Sequence, residues 1–134
     1  MANGIQRMDG GRRFRGRWLS VAGYVALIFA LSSIPGLSVP GTFVYRDKVA
    51  HLLEYGGLSW LVWRAARATW PAAPALARGF LALLAVSAVG AADEKYQAHV
   101  PRRDSSIYDW TADTVGASLA QVVSLTREKR RGGT

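Results

Sequence analysis

Cysteine is absent from this chain of 134 residues, so disulfide bonds, thiolate metal sites and cysteine nucleophiles are excluded. No stretch alternates between apolar and polar residues, and the sequence therefore predicts no β-strand. An HExxH motif, a phosphate-binding glycine loop and a recognisable acyl-transfer nucleophile are also missing. These absences count against an enzyme built on any of those motifs.

Acidic residues are scarce. Nine Asp and Glu stand against 17 Lys and Arg, which gives a net charge of +8. Half of the residues are apolar and only 19% are charged, a combination that indicates a membrane-like interior with a basic exterior. The length is that of one compact unit, so we treat residues 1–134 as a single domain.

Long apolar stretches separated by turn residues predict membrane-spanning helices. No charged residue occurs between Trp18 and Tyr45, and the 17-residue segment WLSVAGYVALIFALSSI nearly matches the length that crosses a hydrocarbon core about 30 Å thick. Proline and glycine mark the connections near residues 35–41 and 70–74. The predicted helices cover about residues 18–34, 47–67, 78–97 and 107–126, with basic tails at residues 1–17 and 127–134. The predicted fold class is an all-α integral membrane protein, a four-transmembrane-helix bundle.

The first apolar segment taken alone also has the basic start and apolar run of a cleavable signal peptide. A secreted remainder would then have to bury three further apolar segments in a small soluble core. The membrane interpretation explains more of the sequence and is therefore favoured.

The basic residues predict the orientation of the helices. If the helices alternate in direction, the N-terminus, the loop between the second and third helices and the C-terminus share one side. Twelve of the 17 Lys and Arg lie on that side, and the positive-inside rule places it in the cytoplasm. Both termini are therefore predicted to be cytoplasmic. Since this rule accounts for the basic ends, we expect membrane lipids as their partners and no nucleic acid.

The acidic residues show the opposite bias, because seven of the nine lie on the outer side or in the outer half of a predicted helix. Glu54, Asp93 and Asp113 stand 13, 15 and 14 residues from the basic end of their helices. At 1.5 Å per residue, all three carboxylates lie about 20 to 22 Å from that end, which leaves them about 8 to 10 Å below the outer boundary. A charge facing lipid at this depth is costly, so these groups are predicted to face one another or a wet cavity.

Helical spacing places further polar residues beside these acids. On the second predicted helix, Asp47, His51 and Tyr55 recur every four residues, with Glu54 adjacent to their stripe. Arg103, in the outer loop, is within reach of the acids and is predicted to close the site as a counter-ion. The predicted outward-facing acidic pocket consists of Asp47, His51, Glu54, Tyr55, Asp93, Glu94, Gln97, Arg103, Asp109 and Asp113.

On the fourth predicted helix, small residues follow the acids on the same stripe. Gly116, Ala117 and Ala120 continue the face of Asp109 and Asp113. Small side chains let neighbouring helices approach closely, so this face is predicted to pack inside the bundle.

A structural interpretation of the same residues stays open. The acids, Lys48 and Arg103 could form an ion network that fixes helix register, with His51 as a hydrogen-bonded residue of the bundle interior. Asp109 could serve only as an N-terminal cap of the fourth helix, where a carboxylate accepts backbone N–H groups.

Four sequence blocks carry a family resemblance. They are LSSIPG at residues 31–36, DKVAHLLEYGGLSWLVWRA from Asp47, DEKYQAHVPRR from Asp93 and DWTADTVGA from Asp109. In residue type, order and spacing they resemble the VanZ-like family of small bacterial membrane proteins, over most of the chain. The characteristic polar positions of the family correspond here to Asp47, Lys48, His51, Glu54, Tyr55, Asp93, Glu94, Gln97, Pro101, Arg103, Asp109, Asp113 and Gly116. The sequence departs from the pattern at Arg102, where family members often have glycine.

This resemblance implies a multi-pass protein of the bacterial cytoplasmic membrane. The family is named for a protein linked to resistance to the glycopeptide teicoplanin, whose target lies at the outer stage of cell-wall synthesis. An outward-facing pocket would suit a glycopeptide or a lipid-linked envelope ligand. The expected function is therefore that of a non-enzymatic envelope protein without metal or cofactor, and no catalytic residue is assigned.

Two other functions stay open. One is an intramembrane enzyme acting on a lipid-linked substrate, with His51 and Glu54 as acid and base, or with both as ligands of a divalent cation together with Asp93. The other is a small cation-coupled carrier. Metal dependence would favour the enzyme, and ligand flux across vesicles would favour the carrier.

Overall fold

The computed structural model describes residues 2–38, 40–41 and 45–132, with side chains for residues 14–131 of these ranges. Residues 1 and 134, the two termini that we predict to be cytoplasmic, lie outside this description. The same holds for the side chains of Arg7, Arg12 and Arg13, which belong to the predicted basic N-terminal tail.

The described residues form four helices and contain no strand. These are α1 (Ala2–Ser32), α2 (Arg46–Thr69), α3 (Ala75–Gln97) and α4 (Ile107–Gly132). The all-α prediction with four helices is therefore confirmed.

Helix ends differ from the prediction mainly in the basic segments. Helix α1 begins at Ala2 and α4 continues to Gly132, so most of the two segments predicted as tails is helical. Neither segment contains proline, and Arg, Lys, Glu, Gln and Met all favour helices, so each helix extends beyond its apolar part. At its other end α1 stops at Ser32 rather than at residue 34, because Pro35 disfavours helical backbone at the residue before it.

Two helical segments are long and apolar enough to cross a membrane. Phe14–Ser32, of 19 residues, contains an 18-residue window with a mean hydropathy of 1.2, and Ala75–Gln97, of 23 residues, contains one with 1.8. Only 6% and 28% of their apolar windows are buried inside the protein, so most of this apolar surface faces outward. By length and composition the described residues thus contain two candidate membrane spans, and α2 and α4 are not among them.

Contacts between helix ends define the arrangement of the bundle. Lys48 near the start of α2 contacts Asp109 near the start of α4, and Gln97 at the end of α3 donates a hydrogen bond to Ser32 at the end of α1. Residues of all four of these helix ends line one shared cavity. The C-terminal ends of α1 and α3 and the N-terminal ends of α2 and α4 therefore lie together at one end of the bundle.

Helices α2 and α4 pack most closely. A Cβ atom at Gly116 would overlap the backbone of Leu52, so only glycine permits this approach. Farther along, the Ser59 hydroxyl donates to the Ala117 carbonyl at 3.0 Å, and Gln121 donates to the Ser59 hydroxyl at 2.7 Å. Gly116 and Ala117 are both buried, as predicted for the small residues of α4, whereas Ala120, the third of them, is half-buried.

The apolar core is small and lies against the acidic residues. It consists of Ile28, Tyr55, Leu58, Val62, Ala82, Val86 and Ala117. Tyr55 belongs both to this core and to the predicted site, so the polar groups of the site rest directly on packed apolar side chains. This packing limits how far they can rearrange.

Candidate functional site

A cavity of about 670 Å³ opens at the end of the bundle where the acidic residues gather. We call it the polar cavity. Its charged and polar lining comprises Ser32, Ser38, Asp47, Lys48, His51, Glu54, Gln97, Arg102, Arg103, Asp104, Ser106 and Asp109. The lining is of mixed charge, with four carboxylates and three basic side chains around His51.

All ten residues of the predicted site lie in or directly behind this cavity. Six of them form part of its lining, namely Asp47, His51, Glu54, Gln97, Arg103 and Asp109. The other four, Tyr55, Asp93, Glu94 and Asp113, are at most 7% exposed and connect to the lining through side-chain contacts or close approach. The helical stripes of the sequence thus do converge on one place.

Two side-chain contacts to carboxylates join α2 to α4. The Lys48 ammonium binds Oδ1 of Asp109, which is 6% exposed. One turn farther along both helices, His51 Nδ1 lies 2.9 Å from Oδ1 of the fully buried Asp113. Lys48 and His51 are three residues apart and Asp109 and Asp113 are four apart, about one helical turn in each case, so parallel helices bring both pairs into register.

Asp93, on α3, contacts Gln97 of the same helix and lies close to Tyr55 of α2. Its Oδ2 accepts a hydrogen bond of 2.8 Å from Gln97, whose amide also donates to Ser32 at 3.1 Å. The Tyr55 hydroxyl approaches Asp93 but meets no acceptor in hydrogen-bonding geometry within the described part of the chain. Glu54, half-buried on α2, is close enough to His51, Asp93 and Asp113 for their charges to interact.

Glu94 is anchored by the loop before α4. Its Oε2 accepts the backbone N–H of Ser106 at 2.8 Å and the Ser105 hydroxyl at 3.2 Å. Neither serine stood out in the sequence, because a loop residue gives no periodic signal of what it contacts. These bonds fix the carboxylate of Glu94 against the start of α4.

Gly90 makes room for the buried carboxylate of Asp113. A Cβ at this position would lie 2.9 Å from Asp113 Oδ2 and 3.4 Å from a ring carbon of Tyr55. A larger residue would therefore displace Asp113. The sequence shows only an apolar helix at this point, so this role of Gly90 was not predicted.

Arg103 lines the polar cavity, but its contacts differ from those expected. Its guanidinium donates to the carbonyl groups of Leu37 at 2.9 Å and Leu31 at 3.4 Å. Among the described side chains it forms no ion pair with a carboxylate. The end of α1 leaves carbonyl groups without helical partners, and Arg103 binds these groups. The prediction that Arg103 pairs with the acids as their counter-ion is therefore wrong for the described side chains.

Three buried carboxylate oxygens in this region have no hydrogen-bond partner among the described residues. They are Asp93 Oδ1, Glu94 Oε1 and Asp113 Oδ2. Each belongs to a carboxylate whose other oxygen is bound, so the side chains are fixed while one acceptor stays unused. Unsatisfied buried acceptors are rare in folded proteins and mark a position where a cation or a donor can bind.

One set of side chains offers the geometry of a metal site. Ligand atoms of His51, Glu94 and Asp109 all lie within 4.8 Å of one another. Glu54 and Asp93, which the sequence suggested as metal ligands with His51, are not in this set. The difference arises because Glu94 and Asp109 face His51 only once α3 and α4 are packed on α2.

A second, basic cavity of about 310 Å³ lies at the opposite end of the bundle. Its lining includes Arg17, Arg64, Arg67, Arg127 and Arg131, together with Trp60, Trp63, Ser124 and Glu128. The Arg64 guanidinium stacks 4.6 Å from the ring centre of Trp60. The two ends of the protein therefore differ strongly in charge.

Comparisons of the chain with models of known protein families, with curated proteins and with solved structures found no match. The function of the site is therefore argued from its own geometry.

Proposed function

We propose that this chain is a four-span membrane protein with both termini in the cytoplasm, whose polar cavity faces outward and binds the cationic group of a glycopeptide or lipid-linked envelope ligand. The setting in the bacterial cytoplasmic membrane, and a relation to teicoplanin resistance, follow from the resemblance to the VanZ-like family. Separate observations support the number of spans, their orientation and the ligand.

The exposed faces of α2 and α4 support four spans rather than two. On α4 the polar side chains Asp113 and Gln121 are buried, while Val115, Leu119 and Val122 are 44%, 53% and 60% exposed. Mean hydropathy counts buried and exposed residues alike, so it understates how apolar the outer surface of such a helix is. Large exposed apolar surfaces of this kind need lipid or another apolar partner.

The charge difference between the two ends supports the orientation. The basic cavity contains five arginines, which the positive-inside rule and the attraction of anionic headgroups favour on the cytoplasmic side. With that end inside, the polar cavity at the other end opens outward.

The single observation that carries the ligand proposal is the set of unused carboxylate oxygens on Glu94 and Asp113, with a third on Asp93, the carboxylate that the Tyr55 hydroxyl approaches. Lys48 binds Asp109, and the guanidinium of Arg103 donates to carbonyl groups rather than to a carboxylate, so among the described residues neither pairs with these three oxygens. Buried acids without enough counter-charge favour a bound cation. A cavity of about 670 Å³ has the size of a small-molecule site and accommodates an amine with its surrounding groups.

A structural polar network is the second candidate, and the Lys48–Asp109 and His51–Asp113 contacts between α2 and α4 favour it. A network that served only to fix the helices would use its carboxylate oxygens in such contacts. The three unused oxygens are what the ligand proposal explains and the network does not.

The test compares isosteric variants of the buried and half-buried acids in lipid nanodiscs. We expect wild-type protein to bind teicoplanin or a lipid-linked cell-wall precursor, and Glu54→Gln, Asp93→Asn and Asp113→Asn each to weaken binding at least tenfold, about 1.4 kcal/mol. Melting temperature and expression should stay near wild type. Asp104→Asn is the comparison for an exposed charge: Asp104 lines the same cavity but is exposed, so its loss should weaken binding less than the loss of a buried acid.

The structural network predicts another pattern. Removing one charged partner would then lower the free energy of unfolding by about 1 to 4 kcal/mol or prevent accumulation. Parallel losses of abundance and binding across the three variants would reject the ligand site, as would a wild-type protein that binds neither probe.

A further inference from the structure

Three helices bring one nitrogen and two oxygen ligands together at the wall of the polar cavity. His51 belongs to α2, Glu94 to α3 and Asp109 to α4, and their ligand atoms lie within 4.8 Å of one another. A metal ion about 2.0 to 2.2 Å from each donor holds tetrahedral donor pairs about 3.4 Å apart. The observed separations of up to 4.8 Å allow a wider spacing, so the side chains draw together when an ion binds.

Glu94 gives an independent indication that a cation binds there. The residue is only 7% exposed, and Oε2 is fixed by the N–H of Ser106. The other oxygen, Oε1, is buried and has no hydrogen-bond partner among the residues described. A fixed, buried carboxylate oxygen of this kind, within a set of metal-type donors, is completed by a positive charge.

His51 is oriented as metal-binding histidines are. With Nδ1–H donated to Asp113 Oδ1 at 2.9 Å, the lone pair of Nε2 is left for a ligand. Asp113 is fully buried, and Gly90 leaves space for it beside Tyr55. A buried carboxylate that binds the second nitrogen of a histidine fixes the tautomer and the ring position at metal centres.

From these observations we infer that His51, Glu94 and Asp109 bind a divalent transition-metal ion, with Zn²⁺ and Mn²⁺ as the matching ions. One imidazole with two carboxylates suits these ions, whereas Ca²⁺ and Mg²⁺ prefer ligand sets made only of oxygen. Soft copper and iron–sulfur centres need thiolates or thioethers, whereas the chain has no cysteine and its two methionines, at positions 1 and 8, are not in this ligand set.

Lys48 competes with the metal for Asp109, because its ammonium binds Oδ1 of that carboxylate. Metal binding then leaves Lys48 to share Asp109 or to turn toward the cavity that it lines. Removing this positive charge is therefore expected to strengthen metal binding, which is opposite in sign to the effect of removing a ligand. His51 and Asp109 also line the cavity, so the bound ion is accessible from it.

The experiment uses the full chain, purified in detergent with a tag free of histidine and stripped of metal by a chelator. Isothermal titration with Zn²⁺, and electron paramagnetic resonance with Mn²⁺, measure binding and stoichiometry. We expect one ion per chain, at least a tenfold loss of affinity for His51→Ala and Glu94→Gln, and a 10- to 100-fold loss for Asp113→Asn. Lys48→Met should bind more tightly than wild type.

Matched controls come from the chain itself. His99, the only other histidine, is exposed and hydrogen-bonded to the Lys95 carbonyl, and Asp104 lines the cavity outside the metal set. His99→Ala and Asp104→Asn should bind Zn²⁺ as wild type does. Circular dichroism and gel filtration show whether each variant is folded, and Zn²⁺ should raise the melting temperature of wild type but not of His51→Ala.

Absence of saturable Zn²⁺ and Mn²⁺ binding by the wild-type chain would overturn the inference, as would equal affinity in wild type and His51→Ala. If Glu94→Gln fails to fold, the other two variants still test the site, because His51→Ala should weaken Zn²⁺ binding and Lys48→Met should strengthen it. The metal site goes beyond the proposed ligand function: it takes Oε1 of Glu94, one of the three oxygens on which that proposal rests, and leaves Asp93 Oδ1 and Asp113 Oδ2 for the ligand. Because metal binding is measured without any envelope ligand, its failure leaves that function standing.

Discussion

Arg102 has a backbone conformation that favours glycine. Its φ is +59°, in the left-handed region, and it lies against Gly36, whose φ is +65°. The resemblance to the VanZ-like family, which stays a prediction, favours glycine at this position, and the arginine raised the question of whether the turn is kept. The structure keeps the turn although Arg102 carries a Cβ atom, which costs about 1 to 2 kcal/mol in this region.

Replacing Arg102 with glycine should therefore stabilise the protein. We expect Arg102→Gly to raise the free energy of unfolding by up to about 1 kcal/mol, because relief of the left-handed strain exceeds the added flexibility of the unfolded chain. Equilibrium unfolding in detergent measures the change.

Arg102→Ala is the control for this prediction. It removes the same charge and side chain but retains Cβ, so it should give no gain. Equal stabilisation by alanine and glycine would show that the side chain, and not the backbone strain, is responsible.

The α2–α4 pair depends on close backbone approach. Gly116 meets the backbone of Leu52, and Ser59 and Gln121 hydrogen-bond across the same interface. Backbone cannot rotate away as a side chain can, so this contact sets the separation of the two helices. The same separation holds His51 against Asp113 and Lys48 against Asp109, two residues from α2 and two from α4.

Gly116→Ala should accordingly separate the two helices. We expect a loss of about 1 to 3 kcal/mol in the free energy of unfolding, the range observed for overpacked interiors, together with weaker metal binding. Thermal unfolding in detergent gives the first quantity and Zn²⁺ titration the second.

Gly23→Ala provides the comparison for that loss. Gly23 lies in α1, and a Cβ atom added there would meet nothing within 4 Å. Alanine should therefore be neutral or stabilising at this position by its helix propensity, about 1 kcal/mol at most. A Gly116→Ala protein as stable as Gly23→Ala would contradict the close packing of α2 and α4.

The whole molecule is polarised between an acidic and a basic end, and four spans connect them in the proposed topology. The chain lacks cysteine, so single cysteines can be placed without removing others. Ala72 in the loop between α2 and α3 and Asp104 in the loop between α3 and α4 are both accessible enough to carry a label. In intact cells, a membrane-impermeant maleimide should label Asp104→Cys but not Ala72→Cys, and permeabilised cells should show both.

The two-span alternative predicts the reverse. If only α1 and α3 crossed the membrane from a cytoplasmic N-terminus, residue 72 would lie outside and residue 104 inside. Labelling of Ala72→Cys in intact cells would therefore reject the four-span topology directly.

The number and positions of the helices could be read from the sequence because the signals are local. Apolar stretches and the proline and glycine residues between them predicted four helices, and α4 begins at Ile107 as predicted. Helical spacing also placed Asp47, His51 and Tyr55 on one stripe, since the geometry of a single helix fixes which residues share a face. The extended ends of α1 and α4 were missed because charge was taken to end a helix, although charged residues favour helices.

Contacts between helices depended on packing that no local pattern encodes. His51 meets Asp113 across 62 positions of the chain, and Arg103 meets Leu37 across 66. Which acid faces the histidine depends on how each helix is rotated and how closely α2 and α4 approach, and Gly90 and Gly116 set those distances through the atoms they lack. The sequence by itself therefore determined that acids gather at one end of a helical bundle. Packing decided that Glu94 and Asp109, rather than Glu54 and Asp93, share the ligand set of His51.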